Sequence, residues 1–362
     1  MTTDTIARRQ PPVVTPADPA ISADAAASTR PATPVRARAD AWHHVRGVLL
    51  WLVRTVLIVV PVFLFSTFIT FLLGAASGLN PAATLAGDSA TPEMIAQLNA
   101  QYGLDKPIVL QYLDWIGGVV TGDLGTSWFN HTSVAELIGQ RLAISASIAG
   151  FALIIGIVFG TLLGLVAAVN QGRFVDRAIT AVASFMSTLP PFVVSIGLIV
   201  VLSVWLHLLP SAGYVPPQQD FWRWLSLITM PAIALSLDTV AEIARQLRTG
   251  LVATLQENYV TGAVVRGLSR RRVLFGHALR NGAGPAVAIL GMKIPTLLGG
   301  AVVTETIFSM PGFGMLSADS ALRGDVPVVQ GTLVVAIALV LACSLLVNGL
   351  LVRLRPGAVR EA

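Results

Sequence analysis

The stretch Arg266–Gly282 reads RGLSRRRVLFGHALRNG and carries five arginines: Arg266, Arg270, Arg271, Arg272 and Arg280. The chain around it is 54% hydrophobic and 12% charged, about half the charged fraction of a soluble domain. Concentrated positive charge in so apolar a chain needs a reason, and the neighbouring sequence supplies one. On both sides lie segments long enough to cross ~30 Å of hydrocarbon, which takes about 20 helical residues. Six such segments are expected, near 48–74, 142–169, 178–209, 225–250, 285–309 and 328–352. The first, VLLWLVRTVLIVVPVFLFSTFITFLLG, exceeds the apolar core of about 7–15 residues found in a cleaved signal peptide. It reads as an uncleaved anchor, with Arg54 snorkelling to the headgroups.

The arginines and lysines then set the orientation. With the N-terminus in the cytoplasm, 19 of the 24 fall inside: seven from Arg8 to Arg54, Arg173 and Arg177, seven from Arg245 to Arg280, and Arg353, Arg355 and Arg360. Only Lys106, Arg141, Arg223 and Arg323 fall outside, and Lys293 lies within a span. Both termini and the basic stretch are therefore expected on the cytoplasmic side of a multi-pass membrane protein. The expected fold class is an all-α integral membrane protein with six transmembrane helices. Residues 1–45, rich in Pro, Ala, Ser, Thr, Asp and Arg, have too few large apolar residues to fold and are expected to be a disordered cytoplasmic tail. A transmembrane domain over 46–354 follows, and 355–362 form a second tail.

The outside loop, 75–141, has structure of its own. In TPEMIAQLNAQYGLDKP, Thr91 suits an N-cap, Pro92 the first helical position and Glu93 the positive dipole end. Met94, Ile95, Leu98 and Tyr102 form one apolar stripe, and Gly103 ends the helix. IVLQYLDWIGGVV is a second apolar segment, and TGDLGTS supplies turn residues. Together these predict a helical extracytoplasmic cap.

Catalytic equipment is missing. Asp105 precedes Lys106 and Met292 precedes Lys293, so neither lysine belongs to a phosphate-binding GxxxxGK[ST] loop. No histidine belongs to an HExxH pair and no G-x-S-x-G elbow occurs. The single cysteine, Cys343, sits in an apolar run and reads as a small hydrophobe. The basic residues are interleaved with spans rather than gathered on one face, which argues against nucleic acid. No cofactor is expected on this chain.

The basic stretch has an internal grammar. ENYVTGAVV is helix-compatible, Gly267 can end a helix in the left-handed conformation, and Ser269 can cap a second helix over SRRRVLFGHALRNG. Val273, Leu274 and His277 share one side of it. Such a helix–turn–helix is a rigid docking element for a cytoplasmic partner. TGAVVRGLSRRRVLFGHALRN also resembles the coupling loop of binding-protein-dependent ABC importer permeases. That family reads E-A-A-x-x-x-G, nine residues, then I-x-L-P. Here Thr261, Gly262 and Ala263 take the first three places, Gly267 the glycine, and His277, Leu279 and Arg280 the last. The dipeptide/oligopeptide/nickel branch typically reads A-K-G-L-S-x-R-R-V…H-A-L-R-N-A, which RGLSRRRV and HALRN resemble. GLDKPIVLQYLDWIGGVVTGDLGTS, DRAITAVASFMSTLPPFVV, LLPSAGYVPP, LLGGAVVTETIFSMPGFGML and DVPVVQG resemble other blocks of that branch, so the likeness covers roughly 48–352. Its usual G-D-P after the first span is Leu79, Asn80, Pro81 here, and its C-terminal L-D-P-R is Leu354, Arg355, Pro356, Gly357.

The resemblance implies a type I ABC importer permease fold. It implies a second homologous permease, two ABC ATPases that carry ATP and Mg, and an extracytoplasmic substrate-binding protein as partners in the bilayer. It implies a coupling loop, 251–284, whose working residues are Ala263, Arg266, Gly267, Leu268, Ser269, Arg271, Arg272, His277, Leu279, Arg280 and Asn281. Di- or oligopeptides, commonest in that branch, are the expected cargo, with nickel, glutathione, glycosides and opines open. The alternative is a self-sufficient secondary transporter. Such carriers often show internal repeats, and none is visible between the two halves. Three charges inside spans, Asp238 and Glu242 in SLDTVAEIARQLR and Lys293 in GMKIP, are candidates for the substrate path. Counted from helix ends near 250 and 285, Glu242 and Lys293 come level at roughly 12 Å and Asp238 lies at roughly 18 Å. A Glu242–Lys293 or Glu242–Arg245 pair is one expectation; Asp238 facing the cargo is the other.

Overall fold

The computed structural model of the chain describes residues 34–76, 78, 80–87 and 90–354. The chain divides into two compact units, Met1–Val62 and Phe63–Ala362. Of the first, the described part is the beginning of helix α1 (Pro34–Ala76). The disordered tail expected over 1–45 lies outside the described residues as far as 33, but from Pro34 the chain is helical. VRARADAWHHVR, residues 35–46, contains neither Gly nor Pro and is rich in Ala and Arg, so the helix of the first span extends back through it. The C-terminal tail expected over 355–362 lies outside the described residues.

The second unit is helical, with one isolated bridge, Thr126 to Ser133, among its described residues. After α1 come α2 (Pro81–Ala86), α3 (Pro92–Gln101) and α4 (Ile108–Val120). The start of α3 follows its sequence: the Thr91 hydroxyl accepts from the Met94 amide at 3.3 Å, and Pro92 opens the helix. Gly103 is left-handed (φ 67°) just past its end. The two-helix cap expected in the 75–141 loop is present, and α2 precedes it.

Among the described residues, four helices are long and apolar enough to span a membrane: Val53–Ala76 within α1, α5 (Val134–Val169), α8 (Phe221–Leu255) and Val326–Val347 within α14 (Val326–Leu354). Two bent pairs raise the count to six, in agreement with the expected spans. One is α6 (Phe174–Thr188) with α7 (Pro191–Leu198), which continues as a π-helical stretch to Trp205. This pair is bent by 100°, so the span expected near 178–209 is a broken one. Pro190 and Pro191 cannot donate backbone hydrogen bonds. They also hold Leu189 extended (φ −76°, ψ 121°), so the helix stops and restarts at Pro191. The other is α12 (Gly284–Ile307), bent by 50° between Leu297 and Gly299. Short helix α13 (Phe313–Arg323) joins α12 to α14.

The centre of the unit is the seam between α5 and α8. Gly156, Gly160 and Gly164 recur every four residues and so lie on one face of α5. A Cβ on them would come within 2.6 Å of Thr239, 2.8 Å of Ile243 and 2.8 Å of the Ala244 carbonyl, respectively. Side chains of α8 (Thr239, Ile243, Leu247) therefore pack directly on the bare backbone of α5, and at Gly164 the Ala244 backbone itself is in contact. This is how helices associate in lipid, where van der Waals packing replaces the hydrophobic drive. Around the seam pack Ile148, Ala152, Ile228 and Met230, with Leu297, Ala301, Phe308 and Met310 from the α12 region.

Candidate functional site

The basic stretch folds as a turn held by its own backbone. Helix α9 (Asn258–Val265) ends where Gly267 takes φ 83°. The Gly267 amide donates to the Val264 carbonyl at 2.9 Å and the Leu268 amide to the Ala263 carbonyl at 3.2 Å. This paired closure is the Schellman motif, and it needs a left-handed residue at the glycine. Leu268 turns back onto Val260, Ala263 and Val273, which supplies the accompanying apolar contact. The second helix is less regular than expected. It runs as α10 (Arg270–Val273), a π turn (Leu274–Ala278) and α11 (Leu279–Gly282). Ser269 sits at the cap position with extended backbone, but its side chain makes no cap hydrogen bond.

The anticipated residues divide by burial. Ala263, Val273 and Ala278 are buried, and Leu268, Leu274, His277 and Leu279 are half-buried. Arg266, Ser269, Arg270, Arg271, Arg272, Arg280 and Asn281 are exposed. Asn281 braces the two helices by donating to the Tyr259 hydroxyl at 2.7 Å, and the Arg266 Nε caps the Gly262 carbonyl at 3.1 Å. The sequence did not single out the exposed apolar residues. Val264, Val265 and Phe275 are 54%, 81% and 56% exposed among the arginines. A solvated basic loop has no use for three such side chains; a docking knob does.

Gly250 and Gly282 tie this element to the bundle. A Cβ on Gly250 would lie 2.1 Å from the Gly282 carbonyl oxygen, and one on Gly282 would lie 2.9 Å from the Gly250 oxygen. Asp176, at the start of α6, anchors the same end: both its oxygens take Arg248 of α8, at 2.5 and 2.7 Å, and Oδ2 also accepts from the Gly172 amide at 2.8 Å.

The Gly250–Gly282 contact also decides how the intramembrane charges pair. Asp238 lies twelve residues back from it along α8 and Lys293 eleven residues forward along the other strand of the hairpin. At ~1.5 Å per residue both sit about 17 Å away, level with each other. Lys293 Nζ accordingly meets Asp238 Oδ2 at 2.5 Å. The expected pairing of Glu242 with Lys293 is not formed, because helix ends near 250 and 285 are the wrong origin for the count. Glu242 instead accepts from Arg245, one turn on, and from Gln246 at 3.0 Å. The Asp238 side chain is 43% exposed and that of Lys293 16%.

Two further buried acids were missed. Glu305 of α12 is fully buried and accepts from the Ser145 hydroxyl and from the Met315 amide at 2.8 Å, while the Phe313 amide donates to Ser145 at 2.8 Å. Serine and glutamate thus hold the first turn of α13. Asp325, ahead of α14, accepts from Ser127 Oγ at 2.5 Å and from the Trp128 amide at 3.3 Å. Burial pushes the Asp325 carboxyl above the usual aspartate range against these bonds. An acid within the apolar fifth span and the Asp-x-Pro ahead of a helix were the available signals.

Residues 160–360 match the family described as binding-protein-dependent transport system inner membrane component, and 48–149 match its N-terminal component. The chain belongs to that family. A probable peptide ABC transporter permease of Sinorhizobium fredii is 34% identical over 78% of this chain and 90% of its own length. The metal-staphylopine import system permease of Staphylococcus aureus is 33% identical over 85% and 99%. The dipeptide transport system permease of Escherichia coli is 33% identical over 83% and 96%. A solved structure of the inward-facing MetNI methionine ABC transporter covers 61% of this chain and 97% of its own, with TM-score 0.50 and 15% identity, a likeness of fold. The permease is thus a multi-pass component of the cytoplasmic membrane with an ABC importer permease fold, in the dipeptide/oligopeptide/nickel branch, and a pore-forming subunit rather than an enzyme.

Proposed function

We propose that this permease imports di- or oligopeptides in a complex with a second homologous permease, two ABC ATPases that bind ATP and Mg, and an extracytoplasmic binding protein. Residues 251–284 are its coupling loop. The observation that carries this reading is that Val264, Val265 and Phe275 are exposed on the same helix–turn–helix as the exposed Arg266, Arg270, Arg271, Arg272 and Arg280. An exposed element that carries both apolar side chains and arginines suits an acidic-edged groove on an ATPase. Closure of the ATPase pair would move the knob, and the Gly250–Gly282 contact would pass that movement to α8 and α12. The basic termini and this loop share the cytoplasmic side, and the cap formed by α2, α3 and α4 faces outside. Asp238, Glu242 and Lys293 line the path. Peptide cargo is favoured by the relatives from S. fredii and E. coli. The staphylococcal relative, named for metal-staphylopine, marks the chemically nearest alternative.

The test is co-purification. Val265→Asp and Phe275→Asp should leave the permease in the membrane and strip the ATPases from it. Undiminished ATPase recovery from both variants would refute the docking role. Uptake by the permease reconstituted without ATPases, driven by an ion gradient, would establish a secondary transporter instead.

A further inference from the structure

The Asp238–Lys293 pair has unused binding capacity. Among the described residues, Lys293 is the one hydrogen-bond partner of Asp238, through Oδ2, and Asp238 is the one hydrogen-bond partner of Lys293. One carboxylate oxygen and two ammonium hydrogens are therefore open. The nearby Glu242 is already engaged by Arg245 and Gln246, so it does not compete for Lys293 as a hydrogen-bond partner. Charges at this depth are costly against lipid and face protein or water. The Lys293 side chain is 16% exposed and that of Asp238 43%, so the lysine is largely withdrawn from water while the carboxylate stays accessible; leaving a withdrawn charge without a partner is unfavourable.

That penalty is a selection rule. Opening the pair is least costly when each charge is given a replacement partner at once. A cargo with a single charge replaces one partner and strands the other. A zwitterion replaces both. We propose that Asp238 and Lys293 form an exchangeable pair that reads the two ends of a short zwitterionic cargo, Asp238 taking its ammonium group and Lys293 its carboxylate. This rests on the peptide-import reading above and goes further, because it assigns the recognised chemistry to both termini. Extended chain spans at most about 3.3–3.6 Å per residue, so the ends of a dipeptide lie no more than about 7 Å apart. A lysine on its flexible four-carbon stem can swing off Asp238 to open such a gap. Longer peptides would need the two charges parted further, so rates should fall with peptide length.

The experiment uses the full transporter in proteoliposomes with its binding protein and ATP. The cargos are dialanine, N-acetyl-dialanine and dialanine amide, each at a concentration that saturates the binding protein. The unmodified complex should take up each capped form at least tenfold more slowly than dialanine. The double variant Asp238→Asn/Lys293→Met removes both charges together and leaves neither stranded. It should be recovered as an assembled complex, take up dialanine at least tenfold more slowly than the unmodified one, and show a ratio of free to capped uptake near one. A double variant that moves dialanine within twofold of the unmodified rate would make the pair a mere brace and overturn the proposal. Equal uptake of capped and free cargo by the unmodified complex would also overturn it, and that comparison decides alone if the double variant does not assemble. If the capped forms do not load onto the binding protein, the double variant decides. Absence of uptake of any dipeptide by the unmodified, ATP-hydrolysing complex would sink the peptide reading itself, a different result from equal rates.

Discussion

A single added methyl at Gly250 tests whether the basic loop is seated on the bundle by backbone contact. In Gly250→Ala the new Cβ would lie 2.1 Å from the Gly282 carbonyl oxygen and 3.1 Å from its carbon. Ordinary contact begins near 3.4 Å, so α8 and α11 must part by about 1.3 Å at this point. The obstructing atoms are backbone, which cannot rotate away. Overpacking of this kind costs about 1–3 kcal/mol, and the upper end applies here. Alanine in mid-helix returns about 1 kcal/mol through its better propensity. The net loss is then about 2 kcal/mol, concentrated where the loop joins the bundle. Gly139→Ala is the matched control, since it is helical with nothing within 4 Å of its Cβ. Thermal unfolding of the purified complex, followed alongside uptake, should show Gly250→Ala less stable and at least tenfold slower, and Gly139→Ala at least as stable as the unmodified chain. Unaltered stability and uptake in Gly250→Ala would show that the two helices are not in contact as described.

Four other outcomes are expected. Gly267→Val should insert normally yet abolish uptake, because its φ of 83° costs other residues about 1 kcal/mol or more; Gly267→Asn, which tolerates that region better, should keep part of the activity, and equal loss in both would implicate something other than conformation. Gly160→Leu should lower the amount of folded protein in the membrane, since its Cβ would lie 2.8 Å from that of Ile243, while Gly150→Leu, with open space, should not. A reporter active only outside the cytoplasm should work when fused after Gly122 or Gly213 and stay silent after Gly172 or Ser269; activity after Ser269 would reverse the proposed orientation. The raised Asp325 carboxyl favours the protonated folded state, so its contribution to stability is fully present below the usual aspartate value of 3.8 and is lost as pH rises through the raised folded value. Asp325→Asn should flatten that part of the pH–stability profile, and an unchanged slope would refute the assignment.

Much of the fold could be read from the chain because its signals are local. Six apolar runs, Thr91–Pro92 at a helix start and Gly267 at a helix end each act within a few residues. What could not be read depends on which distant residues meet. The Gly250–Gly282 contact joins positions 32 apart, and without it Lys293 appeared level with Glu242 rather than Asp238. Ser145 and Glu305 are 160 residues apart, so the acid in the fifth span could be noticed but not its partner. The π turn at Leu274–Ala278 leaves no mark in a pattern that otherwise reads as one helix. The basic loop was found through its arginines, yet its exposed apolar residues became visible only when the turn placed them outside the core.

The glycine seam between α5 and α8 has a mechanical meaning. At 36 and 35 residues these helices measure about 52–54 Å, well beyond the ~30 Å of hydrocarbon they cross. Each therefore projects past the bilayer. Because Gly156, Gly160 and Gly164 present no side chains of their own, the side chains of α8 seat directly on the α5 backbone, and the two helices are closely keyed along their middle. If the loop is the coupling element proposed above, a push at the Gly250 end would reach the far end as a tilt of the two helices together.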